Sequence, residues 1–325
     1  MILSDLDAVG RGYIARPEQL IENDTVCQCQ GDGRTLSLQK LALPNGLAAT
    51  VSWDRCMDIT RFSYRGIPLA YLGRTDERND PSSAFERRFS GGMLYTCGLL
   101  NVGPGDETQP THGRIHLQAA TNRSVGRTGD SLILRGEMRE SALFGENLLL
   151  RRELVFPLDR AEMRLRDTLT NQTPHAQPYM LLYHINLGYP FLSEHLKLRL
   201  PVGTETTPST PAARSFGNGF ADFAAPLADA EELDFSHRLP SKQGICRLSA
   251  ENRALGIRFT LRYSAATLPL LHQWRCLRSM DYVLGLEPAN NLVNGRARPD
   301  ADVHPPVLEP FASISTAVTI SLRSH

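Results

Sequence analysis

Apolar and polar side chains alternate with a period of two along most of this chain. The clearest runs are 132–138 (LILRGEM), 147–156 (NLLLRRELVF), 162–169 (EMRLRDTL), 196–202 (LKLRLPV), 256–263 (GIRFTLRY) and 312–322 (ASISTAVTISL). In an extended chain this period sets one face on a core and the other toward solvent or a ligand, so each run predicts a strand. Turn-forming clusters punctuate them: 44–46 (PNG), 126–130 (GRTGD), 171–174 (NQTP) and 217–219 (GNG). No long segment carries the 3.6-residue period of an amphipathic helix. Only short helices are predicted, at 17–22, 80–87 and 227–233. Many short strands with loop punctuation predict an all-β fold, a large antiparallel β-sandwich with a few short helices.

Strands continue with the same character on both sides of 204–213 (TETTPSTPAA), which reads as an exposed loop rather than a linker. One domain over 1–325 is expected, with 1–30 as a peripheral N-terminal cap. The composition is that of an ordinary globular protein, 41% hydrophobic and 22% charged. Lysine plus arginine equals aspartate plus glutamate at 35 each. This balance gives no electrostatic reason to expect nucleic acid or a membrane surface as partner, and favours a small-molecule ligand. No apolar run reaches the ~20 residues that cross a bilayer, and the N-terminal stretch is acidic early, unlike a secretory signal. The six cysteines, Cys27, Cys29, Cys56, Cys97, Cys246 and Cys276, include no second C-x-C pair at zinc spacing. They read as reduced thiols of a cytoplasmic protein. Edge strands of a large sandwich can pair between chains, so a homodimer is compatible with the pattern.

Three segments are too polar for plain strand connections. The first is 91–103 (GGMLYTCGLLNVG) followed by 112–116 (HGRIH). His112, Arg114 and His116 alternate and would share one face of a strand; a wet strand edge explains them equally. The second is 183–190 (YHINLGYP), where His184 follows an apolar run and is open to reading as a hydrogen-bonded core residue. The third is 281–291 (DYVLGLEPANN), where Glu287 ends an apolar run and Pro288 fixes the backbone after it. A buried glutamate is uncommon unless paired or functional. One carboxylate and one or two histidines suffice for general acid–base chemistry near neutral pH.

The order of these segments resembles the aldose 1-epimerase (galactose mutarotase) superfamily, and within it the branch whose substrates are unassigned. The matching pieces are 54–59 (DRCMDI), 64–72 (YRGIPLAYL), 91–104, 112–116, 169–190, Gln273-Trp274, 281–291 and the last strand. The resemblance implies a galactose mutarotase-like supersandwich with a sugar in an open cleft on one sheet. It implies that α and β anomers interconvert by ring opening and closure, with no cofactor and no metal. His184, as imidazolium, is then the group that protonates the ring oxygen, and Glu287, as carboxylate, takes the proton of the anomeric hydroxyl. His112 corresponds to the sugar-binding histidine. Arg88, 24 residues before it, stands near the place of a substrate-binding arginine. Arg114, Gln273 and Trp274 complete the expected substrate contacts. The superfamily's substrate-binding aspartate has no clear match, with Asp222 and Asp281 as candidates, so the sugar stays open. Two rival readings remain: a metal-dependent sugar isomerase using His112, His116, His184 and Glu287, and a carbohydrate-binding protein without catalysis.

Overall fold

The computed structural model describes residues 11–31, 33–75, 83–217, 219–296 and 304–324. The first sheet grows from local hairpins. β1 (Glu22–Cys29), β2 (Thr35–Ala42), β3 (Leu47–Ser52), β4 (Asp58–Tyr64) and β5 (Ile67–Pro68) pair antiparallel in chain order. The predicted PNG turn closes β2 onto β3: Gly46 adopts φ +90°, and its N–H donates to the Leu43 carbonyl at 2.9 Å.

The chain continues through α1 (Phe85–Arg88), β6 (Tyr95–Leu99), β7 (Thr121–Thr128), β8 (Ser131–Ser141), β9 (Asn147–Pro157), β10 (Glu162–Asn171), β11 (Gln177–Pro178) and β12 (Met180–Gly188). Then come β13 (Leu196–Arg199), β14 (Glu205–Pro208), α2 (Pro211–Phe216), β15 (Leu233–Arg238), β16 (Ile245–Asn252) and β17 (Ile257–Ser264). The last elements are β18 (Leu270–Arg278), β19 (Asp281–Ala289), β20 (Val307–Leu308) and β21 (Ser313–Ser324). An eight-stranded antiparallel sheet runs β13-β16-β17-β21-β10-β9-β8-β7, and a six-stranded one runs β14-β15-β18-β19-β12-β6. β11 and β20 pair separately. The main apolar core draws on all three large sheets, with Phe62, Phe156, Ile185, Phe259 and Leu284 among its members. The fold is all-β, as the alternating runs predict.

β8, β9, β10, β17 and β21 cover the predicted strands closely, because each has one buried and one exposed face. β12 is buried at every position and β19 at all but its first residue. Strands covered on both faces do not alternate, so these read as apolar runs.

Several local expectations are corrected. The segment 227–233 forms no helix; Leu233 opens β15. The supposed loop at 204–213 holds β14 and the start of α2, whose Thr210 Oγ1 caps the helix by accepting from Ala213 N–H at 3.2 Å. At 17–22 there is one 3₁₀ turn, Pro17–Gln19, and Glu22 already belongs to β1. The helix expected at 80–87 is α1, displaced to Phe85–Arg88, and residues 80–82 lie outside the described ones. Of the expected cap, residues 1–10 also lie outside, while β1 pairs with β2 along its whole length. The strand expected at 196–202 ends at Arg199. All six cysteines are free thiols. Among the described residues no helix is long and apolar enough to cross a membrane.

One polar cluster lies inside the sandwich. Arg152 on β9 is fully buried and forks onto Asp167 on β10 (Nε–Oδ1 2.9 Å, Nη2–Oδ2 2.7 Å). Its Nη1 reaches Asp58 on β4 at 3.1 Å and the Cys56 carbonyl at 2.8 Å. Tyr183 on β12 donates its hydroxyl to Asp167 at 2.7 Å, and Thr96 on β6 donates both N–H and Oγ1–H to Asp58. Burial raises the Asp58 carboxyl to about 6, although Arg152 and Thr96 act against it. Desolvation therefore outweighs attraction at this carboxylate, but each member depends on the others. Arg152→Met strands two buried aspartates, and a loss of roughly 3–5 kcal/mol is expected in the denaturant-unfolding free energy. A loss below about 1 kcal/mol would show that the cluster does not hold the sheets together.

Candidate active site

The six-stranded sheet carries its chemistry in one cross-strand row. Ser236 on β15 lies opposite His272 on β18, and His272 lies opposite Glu287 on β19. The register that pairs Ile185 with Leu286 sets Glu287 beside His184 on β12, and His184 lies opposite Tyr95 on β6. Directly opposed side chains in such a row have Cβ atoms roughly 5 Å apart, so four strands bring Ser236, His272, Glu287 and His184 to one place. A cleft of about 740 Å³ opens over the row, within the usual size range of small-molecule sites.

His184 Nε2 stands 3.1 Å from Glu287 Oε1, with the two side chains 7% and 4% exposed. The ring N–H does not aim at the oxygen, so the contact is not a hydrogen bond, and Oε1 and His184 Nδ1 both lack a partner. Gly285 makes this approach possible. A Cβ there would lie 2.4 Å from Glu287 Oε1, 3.1 Å from His184 Cε1 and 3.2 Å from Trp274 Cβ. Burial pushes the His184 imidazole down to about 3, with His112 adding to the effect. Burial pushes Glu287 well above the usual carboxylate range, and Asp234 adds to that. The resting pair is therefore an imidazole beside a carboxylic acid, holding one proton and no net charge. Both shifts run against the charged forms expected of the working pair, and the cause is the dryness of the site.

His112 lines the cleft from a loop, in the left-handed region at φ +61°. Its Nδ1 accepts from Gly103 N–H at 3.3 Å, and its own N–H donates to the Gly103 carbonyl at 2.9 Å. Burial, followed by Arg88 and His272, lowers its imidazole to about 4. The neutral ring with an accepting Nδ1 carries its proton on Nε2, as a donor. His272 is fixed similarly: Nε2 bonds the Asn291 carbonyl at 2.9 Å, so Nδ1 accepts from Ser236 at 2.9 Å. Aromatic rings crowd His184, with Phe89 at 5.3 Å and Trp274 at 5.4 Å between centroids.

The structure brings His184, Glu287, His112 and Trp274 together in the cleft and leaves three expected contacts outside it. Arg88 is 2% exposed, acts on the charge of His112 and does not line the cleft. Arg114 is held by Gln109 Oε1 at 2.6 Å and the Thr108 carbonyl at 2.8 Å. Gln273 falls on the opposite face of β18, where it bonds His237 and the Phe220 carbonyl. The alternation expected for 112–116 is absent, because Ile115–Leu117 is a 3₁₀ turn. His116 is consequently buried against Tyr95 at 4.7 Å, away from His184. Among the described residues no three His, Cys, Asp or Glu side chains are placed to share a metal ion, so the four-residue metal set is not assembled. Asp222 pairs with exposed Lys197 at 2.5 Å, whereas Asp281 reaches the cleft rim, bonded to Arg74 at 2.6 Å.

Asp234, Ser236 and His272 are cleft residues that sequence reasoning missed. Their signal is the strand period: with Trp274 on the cleft face, His272 two residues earlier shares it, as Asp234 and Ser236 share theirs on β15. Among the described residues the Asp234 side chain makes no hydrogen bond or ion pair, and burial, followed by Glu232, raises its carboxyl to about 7.

Solved structures share this architecture at low sequence identity. A candidate aldose 1-epimerase from Klebsiella pneumoniae superposes with a TM-score of 0.81 at 20% identity, covering 92% of this chain and 83% of its own. A galactose mutarotase-like protein from Clostridium acetobutylicum gives 0.66 at 12% identity, covering 94% and 99%. Galactose 1-epimerase from Lactobacillus acidophilus gives 0.63 at 12% identity, with the same coverage. No curated protein sequence matches the chain. The sandwich is thus of the galactose mutarotase-like fold, and because one family model matches residues 33–322, the chain belongs to the family described as a domain of unknown function, DUF4432.

Proposed function

We propose that the protein is a mutarotase of the aldose 1-epimerase type, interconverting the anomers of a reducing sugar by acid–base ring opening. The observation that carries this reading is the buried His184–Glu287 pair, 3.1 Å apart on adjacent strands at the floor of an open cleft. Ring opening removes one proton from the anomeric hydroxyl and delivers one to the ring oxygen; closure on the other face reverses both transfers. A pair that holds one proton between two groups has the inventory for this cycle and ends each turnover as it began.

Burial keeps that proton on Glu287. Sugar hydroxyls donating to the carboxyl oxygens favour its ionised form, which passes the proton to His184 and yields the base and acid that the reaction uses. The unaligned His184–Glu287 contact suits this order, since catalytic hydrogen bonds commonly tighten only once substrate is bound. His112 Nε2–H is the donor available to polarise the ring oxygen, and Trp274 offers a flat apolar surface to the sugar ring. The proton transfers need no resident cofactor. The solved relatives named as epimerases and mutarotases agree with this chemistry.

The test is anomer-exchange NMR on a panel of reducing aldoses. His184→Ala and Glu287→Gln are each expected to lower the accelerated exchange by about 10²–10⁴-fold in a folded protein. A folded wild type that binds sugars but accelerates none sinks the reading in favour of a binding protein. Gly285→Ala is expected to cost at least about ten-fold in kcat, because the new methyl group displaces the Glu287 carboxyl from His184; unchanged kcat would mean that this close approach is not used. The kcat/KM profile follows from the shifted groups. His184 gains a second proton only near its lowered value of about 3, and the shared proton is lost only above the raised value of Glu287. The acid limb is therefore expected well below ~6.5, where an ordinary imidazole titrates, and the basic limb on the raised side of the usual carboxylate range.

A further inference from the structure

The hydrogen-bond chain at one end of the cleft has a fixed direction. It starts at the Asn291 backbone carbonyl, which can only accept, so His272 Nε2, 2.9 Å away, carries a hydrogen. Burial lowers the His272 imidazole to about 4, so near neutral pH the ring holds that one hydrogen and its Nδ1 is a bare lone pair. Nδ1 lies 2.9 Å from Ser236 Oγ, and the Ser236 hydroxyl therefore donates to it. That spends the one hydrogen the hydroxyl has. Ser209 Oγ, 3.1 Å away, consequently donates to Ser236 rather than accepting from it. A hydroxyl oxygen has two lone pairs, so Ser236 keeps one for a further donor. His272 is 5% exposed, and both it and Ser236 line the cleft.

A serine hydroxyl ordinarily rotates to suit a donor or an acceptor, whereas this one is already committed. We propose that Ser236 is a fixed acceptor that selects an aldose with an unsubstituted hydroxyl on its third or fourth carbon, and that His272 is the positioning residue that fixes it. The ring position rests on the mutarotase reading, which puts the anomeric hydroxyl at Glu287. In the order β15-β18-β19, Ser236 and Glu287 stand two strand spacings apart, roughly 9–10 Å. Two hydrogen bonds of about 2.8 Å leave about 4 Å between the two sugar oxygens. Hydroxyls side by side on adjacent ring carbons are closer than that, and one further round the ring reaches. A substituent that only accepts, such as a fluorine, an ether or a phosphate, meets a lone pair there and is disfavoured.

Fluorine tests the direction of the bond, because it keeps an acceptor and removes the hydrogen. Ligand-observed NMR titrations near neutral pH would compare glucose and galactose with their 3-deoxy, 3-deoxy-3-fluoro, 4-deoxy and 4-deoxy-4-fluoro analogues. At one of the two carbons both replacements are expected to weaken binding about five- to ten-fold, with the fluoro sugar no better than the deoxy sugar. In Ser236→Ala this penalty is expected to fall to within about two-fold. In His272→Phe the Ser236 hydrogen is released, and the fluoro sugar is expected to bind tighter than the deoxy sugar, a reversal that a loosened fold would not produce. Imidazole nitrogen NMR of the wild type is expected to show hydrogen on His272 Nε2 and none on Nδ1. A protonated Nδ1, fluoro sugars that all bind as well as their parents, or a penalty that survives Ser236→Ala overturns the inference. Anomer exchange is read in the same samples. Accelerated exchange without the penalty removes this inference and leaves the mutarotase reading intact, whereas the penalty without acceleration keeps the fixed acceptor and sinks that reading.

Discussion

The rest of the structure depends on a buried cation. Arg152 stands where the three large sheets meet and is satisfied only if β4, β9 and β10 present their groups together, with Thr96 and Tyr183 completing the aspartates' hydrogen bonds. Hydrogen-bond geometry tolerates errors of a few tenths of an ångström, so the cluster fixes register more sharply than apolar packing does. Thr96 and Tyr183 turn inward to this cluster, and their sequence neighbours Tyr95 and His184 turn outward to the cleft row. A one-residue slip of β12 would exchange Tyr183 for His184. Core polarity and site geometry are thus one constraint viewed from two sides of a strand.

How much of this was legible depended on how each strand is covered. β8, β9, β10, β17 and β21 alternate because one face is wet, and their signal survives in the bare sequence. β12 and β19 carry the central pair and do not alternate, so His184 and Glu287 emerged through their chemistry and the resemblance of their surroundings. Trp274 was identified and its neighbour Gln273 misplaced, because choosing a face of β18 needs the register with β15 and β19. Arg88 follows from the resemblance and Arg114 from its closeness in sequence to His112, but Arg88 is buried and the loop that gives His112 its φ of +61° turns Arg114 toward Gln109. Asp234 carries no local motif; only the row that joins it to Trp274 reveals it.

The electrostatics of the cleft follow from dryness more than from partners. His112, His184 and His272 are all held neutral primarily by burial, and Glu287 and Asp234 are held toward their protonated forms by the same cause. A site prepared this way stores little charge at rest and gains it when a ligand brings compensating hydrogen bonds or charge. Its specificity then rests on what the ligand supplies as much as on what the protein displays.

Placing the reacting groups in one row across a single sheet has a consequence for divergence. Among the described residues the eight-stranded layer contributes packing and the Arg152 anchor but no group to the cleft, so its outward face can change freely. Within the six-stranded layer the strands at the end of the row can also change independently of its centre. Replacing residues on β15 alters the wall of the cleft and leaves β12 and β19 untouched. One scaffold can therefore keep the His184–Glu287 row in place while substitutions confined to a neighbouring strand reshape the cleft beside it.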